Sequence, residues 1–150
     1  MRAVIQRVSR ASVSIAGRET ALIGPGMLVL LACEPTVGPE DIDWLAKKLC
    51  LLRVFEDAEG AMNRSLIESN GDVLLVSQFT LFASTRKGTR PSWYRAAKPD
   101  LAKPLYLAFH AQMEALLGRP VPTGEFGADM QIELVNDGPV TLILDTKEKE

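Results

Sequence analysis

With 150 residues, 47% of them apolar and 24% charged, the chain has the size and balance of one compact soluble domain, expected to span residues 1–150 without a linker. No apolar run reaches the roughly 18 to 20 residues of a membrane span, because Gly24, Pro25 and Gly26 interrupt the only long candidate. Two cysteines, Cys33 and Cys50, in apolar surroundings exclude a disulfide framework, so a cytoplasmic, reducing location is expected. The formal net charge of −2 hides basic stretches at Met1–Arg18 (four arginines, no acid) and Ser84–Pro99 (five bases, no acid), against nine acids and four bases between Glu34 and Asp72.

Residues 2–8 and 11–15 are rich in β-branched and apolar types and predict two opening strands, with a hairpin turn at Ala16-Gly17 leading into Thr20–Ile23. Gly24-Pro25-Gly26 is a strong turn, and the nearly continuous apolar run Met27–Cys33 suits a strand buried on both faces. Pro39 marks a first helical position. Glu40, Asp41 and Asp43 follow near the positive end of the helix dipole, and Ile42, Leu45, Ala46 and Leu49 repeat at helical spacing. Leu51–Phe55 reads as a strand ended by the acidic Glu56–Gly60 turn. Asn70-Gly71-Asp72 introduces a long apolar stretch, Val73–Ala83, with a polar interruption at its centre. A second helix is expected from about Pro104 to Leu117, stopped by Gly118. Met130–Val135 and Val140–Thr146 alternate apolar and polar residues on either side of Asn136-Asp137-Gly138-Pro139, so a turn between two strands is expected.

Much familiar chemistry is missing. The single histidine, His110, reads as a helix surface residue, and with two apolar-flanked cysteines no zinc site of known spacing can be assembled. No Ser-His-Asp arrangement and no glycine-rich phosphate loop is written into the chain. A hydrolase with this composition would rely on backbone donors, on hydroxyls, or on a group that the substrate supplies. No metal and no cofactor is therefore expected.

Ser77-Gln78-Phe79-Thr80-Leu81 resembles the SQFTL motif of the D-aminoacyl-tRNA deacylase family, and Asn136-Asp137-Gly138-Pro139-Val140-Thr141 resembles its second motif, NxGPxT. Met1–Val8, Phe55–Leu66, Thr85–Ser92 and Thr123–Met130 are similar to the family as well, so the likeness extends over essentially the whole chain. It implies an α+β fold, a β-barrel-like sheet with about two helices, assembled as a homodimer with active sites at the interface. It also implies a cis Gly138–Pro139 bond that reaches into the partner's site as a chirality filter. Such a filter tests handedness at Cα without testing side-chain identity. It rejects L-residues by clash, and glycine, having no Cβ, would pass.

By the same resemblance the substrate is tRNA charged with a D-amino acid or glycine. Ser77 and Gln78 would hold the pocket and the ester, and backbone N–H groups of Phe79 and Thr80 would stabilise the oxyanion. The 2′-hydroxyl of the terminal adenosine would assist the attack. Thr80 as nucleophile is the alternative, although no base that would activate it is evident. Arg7 would steady the Gly138–Pro139 loop, unless it is an ordinary surface strand arginine. Phe126 and Met130 would line an adenine pocket, core packing being the simpler alternative. Arg86, Lys87 and Arg90 would meet phosphates near the acceptor end. Two other readings stand beside this one. A non-catalytic RNA-binding module is disfavoured by only nine aromatic residues, with Trp93 and Tyr94 alone near the basic loop. An esterase of another substrate is disfavoured by the missing triad and metal ligands.

Overall fold

The computed structural model describes residues 1–149, and it opens on one long strand where the sequence predicts two. β1 (Arg2–Ile15) continues through Ser9 and Arg10 because a register shift beside Val8 absorbs the mismatch and lets both halves pair with the same neighbour. The apolar parity changes there: Ala3 and Ile5 enter one core cluster, while Val8, Ala11 and Val13 enter a second. β2 (Arg18–Ile23) returns antiparallel after Ala16 and Gly17, both at positive φ, as the right-handed twist of a tight hairpin requires.

β3 (Gly26–Ala32) continues antiparallel to the first half of β1, with Arg2 opposite Ala32 and Val8 opposite Gly26. It is buried on both faces, as its apolar run predicts: Met27, Val29 and Leu31 join the first cluster and Leu28 joins the second. Gly26 is required by packing, since a Cβ there would lie 2.0 Å from the Asp72 carbonyl oxygen. α1 (Pro39–Leu51) follows and absorbs the start of the strand expected at Leu51–Phe55. The helical repeat of Leu45, Leu49 and Cys50 carries the helix on to Leu51, leaving only β4 (Phe55–Glu56), paired with β5 (Met62–Arg64).

α2 (Leu66–Ser69) was not expected, although Ser65 and Glu68 spell its capping box: Glu68 N–H donates to Ser65 Oγ, and Ser65 N–H to Glu68 Oε2. β6 (Asp72–Ser77) then lies parallel to β3, after which Phe79–Phe82 form a 3-10 turn. α3 (Pro99–Leu117) begins five residues before the predicted start at Pro104. Pro99 supplies the first helical position, and Pro104 is tolerated because it sits early in the helix and forfeits only one backbone hydrogen bond.

The two C-terminal strands expected around Asn136–Pro139 are a single strand, β7 (Gln131–Asp145), not a hairpin. Both halves run in the same direction along the free edge of β1, so the segment between them is a bulge and not a reversal. Together β1, β2, β3, β6 and β7 make a mixed five-stranded sheet curved into a half-barrel, with three helices where the sequence suggests about two. α1 and α3 pack on each other over the larger cluster, where Leu45, Leu49, Phe109 and Met113 are fully buried. Among the described residues no helix is long and apolar enough to cross a membrane.

The ends of the sheet are clamped to α1. Asp41 is 2% exposed and accepts hydrogen bonds from Gly38 N–H and Lys147 Nζ, both at 2.9 Å. The Met1 amine donates to Thr146 Oγ1 at 2.6 Å, and Arg2 pairs with Asp145 at 2.8 Å. Burial alone would raise the Asp41 pKa, but hydrogen bonds from Gly38, Lys147 and Thr146 outweigh it and hold the carboxyl at about 2. A pKa below its ordinary value contributes stability that is present above about pH 4 and lost as the pH falls through about 2. Asp41→Asn is therefore expected to cost about 2 kcal/mol at pH 7. In urea denaturation the gap between the variant and the unaltered chain should close between pH 4 and 2.

Candidate active site

Ser77 ends β6, and the chain must turn there because the sheet ladder stops. Gln78 N–H still donates to Leu31 O at 2.7 Å, the last link to β3, before the 3-10 turn begins. That turn is anchored from behind. Phe82 is fully buried with the Arg2 guanidinium 4.9 Å and the Arg95 guanidinium 5.3 Å from its ring centre, and Arg2 also donates to Leu81 O at 3.1 Å. The Phe79 and Thr80 N–H groups open the turn and have no acceptor within it, as at the start of any helical segment. Gln78 Nε2 donates to Thr80 Oγ1, which occupies the threonine hydroxyl with a neighbour inside the motif.

A cavity of about 560 Å³ lies beside this turn. Ser77, Gln78 and Phe79 line it together with Phe126 and Met130, so the structure brings five of the predicted site residues to one place. Thr80 is not in the lining and is joined to it through the hydrogen bond from Gln78. Trp93, Ala96, Ala97 and the first turns of α3 also line the cavity, with Ala102 and Tyr106 spaced one helical turn apart. Tyr106 donates to Leu75 O at 3.0 Å and its ring lies 5.8 Å from that of Phe126; burial pushes its phenol up to about 12, so it stays protonated. Cys33 also reaches the cavity. Burial raises its thiol to about 11, which removes it as a nucleophile near neutrality.

Sequence reasoning missed Trp93, Lys98, Tyr106 and Asp129 as cavity residues. The overlooked signal was Lys98-Pro99-Asp100, a proline followed by an acid at a helix start, which would have placed Ala102 and Tyr106 on a helical face. His110 is not a plain surface residue: half-buried, its Nε2 lies 2.8 Å from Val121 O and ties α3 to the next loop, outside the cavity.

The second motif lies elsewhere in the chain. Val8 pairs with Asn136 and Gln6 with Thr141, so Asp137, Gly138, Pro139 and Val140 all stand opposite Arg7. Asn136 closes this bulge: its Oδ1 accepts from Val140 N–H at 2.9 Å and its Nδ2 donates to Thr141 Oγ1 at 3.0 Å. Gly138 has φ +134°, and a Cβ on it would meet Val140 Cγ2 at 2.8 Å, so both conformation and space require glycine. The Gly138–Pro139 bond is cis, and both residues are exposed.

Arg7 is buried, not a surface strand arginine, and its guanidinium spans the bulge and the opposite loop. Its Nε donates to Asp137 O at 2.9 Å and one terminal nitrogen to Val54 O at 2.7 Å. The bulge is three strand spacings from β6, roughly 14 Å across the sheet, and it does not line the cavity of its own chain. Arg86, Lys87 and Arg90 lie in an exposed loop closed by the Ser84–Ser92 pair. They line a second cavity of about 480 Å³ with Tyr94.

The D-Tyr-tRNA(Tyr) deacylase family matches residues 4–145. Proteins named D-aminoacyl-tRNA deacylase from Opitutus terrae, Parabacteroides distasonis and Bacteroides thetaiotaomicron are 59%, 57% and 55% identical, in each case over the full length of both chains. The solved c-Myc DNA Unwinding Element Binding Protein is 36% identical and superposes with a TM-score of 0.91 over 97% of this chain and 98% of its own. A structure of a probable eukaryotic D-amino acid tRNA deacylase, 19% identical, has a TM-score of 0.81 over 95% and 97%, a likeness of fold. These matches define an enzyme, a hydrolase of the deacylase class. The chain belongs to the D-Tyr-tRNA(Tyr) deacylase family.

Replacing Arg7 leaves the buried Val54 carbonyl without a donor and takes the brace from the Asp137 carbonyl. Arg7→Met is expected to cost about 3 kcal/mol and to speed hydrogen exchange at the amides of 136–141. Arg7→Lys should restore little, because one ammonium cannot reproduce the guanidinium fork. Denaturant titration and exchange mass spectrometry read both effects.

Proposed function

We propose that the chain hydrolyses the ester bond of D-aminoacyl-tRNA, releasing free amino acid and tRNA, and spares the L-esters. The observation that carries this reading is the 3-10 turn at the cavity mouth, whose Phe79 and Thr80 N–H groups start a helical segment without acceptors in it. Donors held by Arg2, Leu31 and Phe82 are in place before the reaction, which is what stabilising a developing oxyanion requires. Phe126 and Met130 offer apolar and sulfur contacts suited to a flat adenine, and Ser77 and Gln78 hold the ester between that base and the turn.

The 2′-hydroxyl of the terminal adenosine assists the attack. The hydrogen bond from Gln78 to Thr80 Oγ1 supports a positioning role for Thr80, and among the described residues no histidine, lysine or carboxylate bonds to that hydroxyl. The chain works as a homodimer. Within one subunit the Gly138–Pro139 bulge is too far across the sheet to meet the cavity, yet it is exposed and braced by Arg7 and Asn136, a shape suited to entering a second subunit's cavity. There its carbonyl wall excludes the Cβ of an L-residue, while glycine passes.

Purified protein with chelator present is expected to deacylate D-tyrosyl-tRNA at least about a hundredfold faster than L-tyrosyl-tRNA, and to act on glycyl-tRNA as well. Stability of both tyrosyl esters despite tight tRNA binding would turn the reading toward a binding module. Untouched glycyl-tRNA would remove the steric filter. In a second experiment, Thr80→Ala should keep activity within about tenfold, whereas a substrate ending in 2′-deoxyadenosine should lose at least about a hundredfold. Complete loss in a folded Thr80→Ala protein would favour covalent catalysis instead.

A further inference from the structure

We propose that Trp93 and Tyr94 form a stacking platform for the single-stranded 3′ end of the RNA that carries the ester, leading from the main cavity to the basic loop. The identity of the occupant rests on the deacylase reading; the platform itself rests on geometry. Two adjacent residues serve two different cavities: Trp93 lines the one beside the Ser77–Phe79 segment, and Tyr94 lines the one formed by Arg86, Lys87 and Arg90. A turn closed by the Ala96 N–H bond to Trp93 O at 3.0 Å begins here, and because Trp93 and Tyr94 line different cavities the Ser92–Tyr94 segment is the partition between them.

The partition is rigid. Ser84 and Ser92 exchange backbone hydrogen bonds of 2.8 and 2.9 Å, Ala97 N–H donates to Cys33 O at 2.8 Å, and Arg95 pairs with Glu34 at 3.0 Å. The Trp93 ring is further held edge-on by Phe79, with ring centres 5.4 Å apart and planes at 81°. Yet Trp93 is 40% and Tyr94 70% exposed, on a backbone anchored at both ends. Rings of that size left in water on a fixed segment are not core residues. Among the described residues, none of Arg86, Lys87 and Arg90 lies within ion-pair distance of an acid, and no acid occurs between Ser84 and Pro99.

Exposed rings beside unneutralised cations match the two needs of a single strand, a face for its bases and charge for its phosphates. A protein partner would leave the three cations without counter-charge unless it were strongly acidic. Continuity with the cavity that takes the terminal nucleoside gives the strand its direction, with upstream phosphates lying toward Arg86, Lys87 and Arg90.

The test uses Trp44→Phe protein, in which Trp93 is the only tryptophan, titrated with a short single-stranded RNA ending in adenosine. Binding should quench the fluorescence of Trp93. Tyr94→Ala should weaken binding about tenfold and Tyr94→Phe should restore it, since stacking needs the ring and not the hydroxyl. With D-tyrosyl-tRNA as substrate, Tyr94→Ala should raise KM and leave kcat largely as it was. Absence of binding at millimolar RNA, binding without quenching, or equal affinity in Tyr94→Ala would each overturn the platform. Failure of the unaltered chain to hydrolyse D-tyrosyl-tRNA, with quenching and the Tyr94 dependence intact, would sink the deacylase reading and leave the platform standing.

Discussion

The hydrogen bonds along the two edges of β1 align the strands that carry both motifs. One edge takes β3 in its first half and β2 in its second; the other takes β7 along its whole length. β6 is set by β3, and the 3-10 turn is set by β6 and by Arg2 at the start of β1. Because a strand's side chains alternate with period two, this pairing also decides which residues face the helices and which face the second cluster. A shift of β1 by one residue would move Arg7 away from the bulge and Arg2 away from the turn.

The two motifs solve opposite local problems by the same means, a polar side chain that satisfies backbone left over when the ladder breaks. At the end of β6 the ladder stops, and Gln78 and Arg2 secure a turn whose leading N–H groups stay free for another use. In β7 the ladder is interrupted and resumes, and Asn136, Thr141 and Arg7 bind the four residues that stand opposite Arg7, leaving Gly138 and Pro139 exposed. The first arrangement leaves leading N–H groups beside the cavity, and the second leaves Gly138 and Pro139 exposed on a bulge braced by Arg7.

The site contains little that can titrate near neutrality. Cys33 and Tyr106 reach the cavity, but burial pushes both well above the physiological range, so each acts there as a neutral group. Fixed dipoles and apolar walls remain, with Lys98 and Asp129 as the charged residues in the lining. Such a site suits electrostatic stabilisation from a preorganised backbone more than proton transfer by a side chain.

Sequence patterns determined the elements whose cause is local. The continuous apolar run predicts a strand buried on both faces at β3, the Pro39 start and its acids predict α1, and the Ala16-Gly17 hairpin follows from turn chemistry. The resemblance of two short motifs to a family extended this to function. Elements whose cause is distant were misread. A hairpin at Asn136–Pro139 and a bulge in one strand have the same turn residues, and only the shared partner β1 distinguishes them. The burial of Arg7, the five residues gathered around one cavity and the separation of Gly138–Pro139 from it depend on pairing between segments far apart in the chain. Local periodicity carries the direction of each side chain relative to its own strand, but which strand lies next to it is settled only when the sheet assembles.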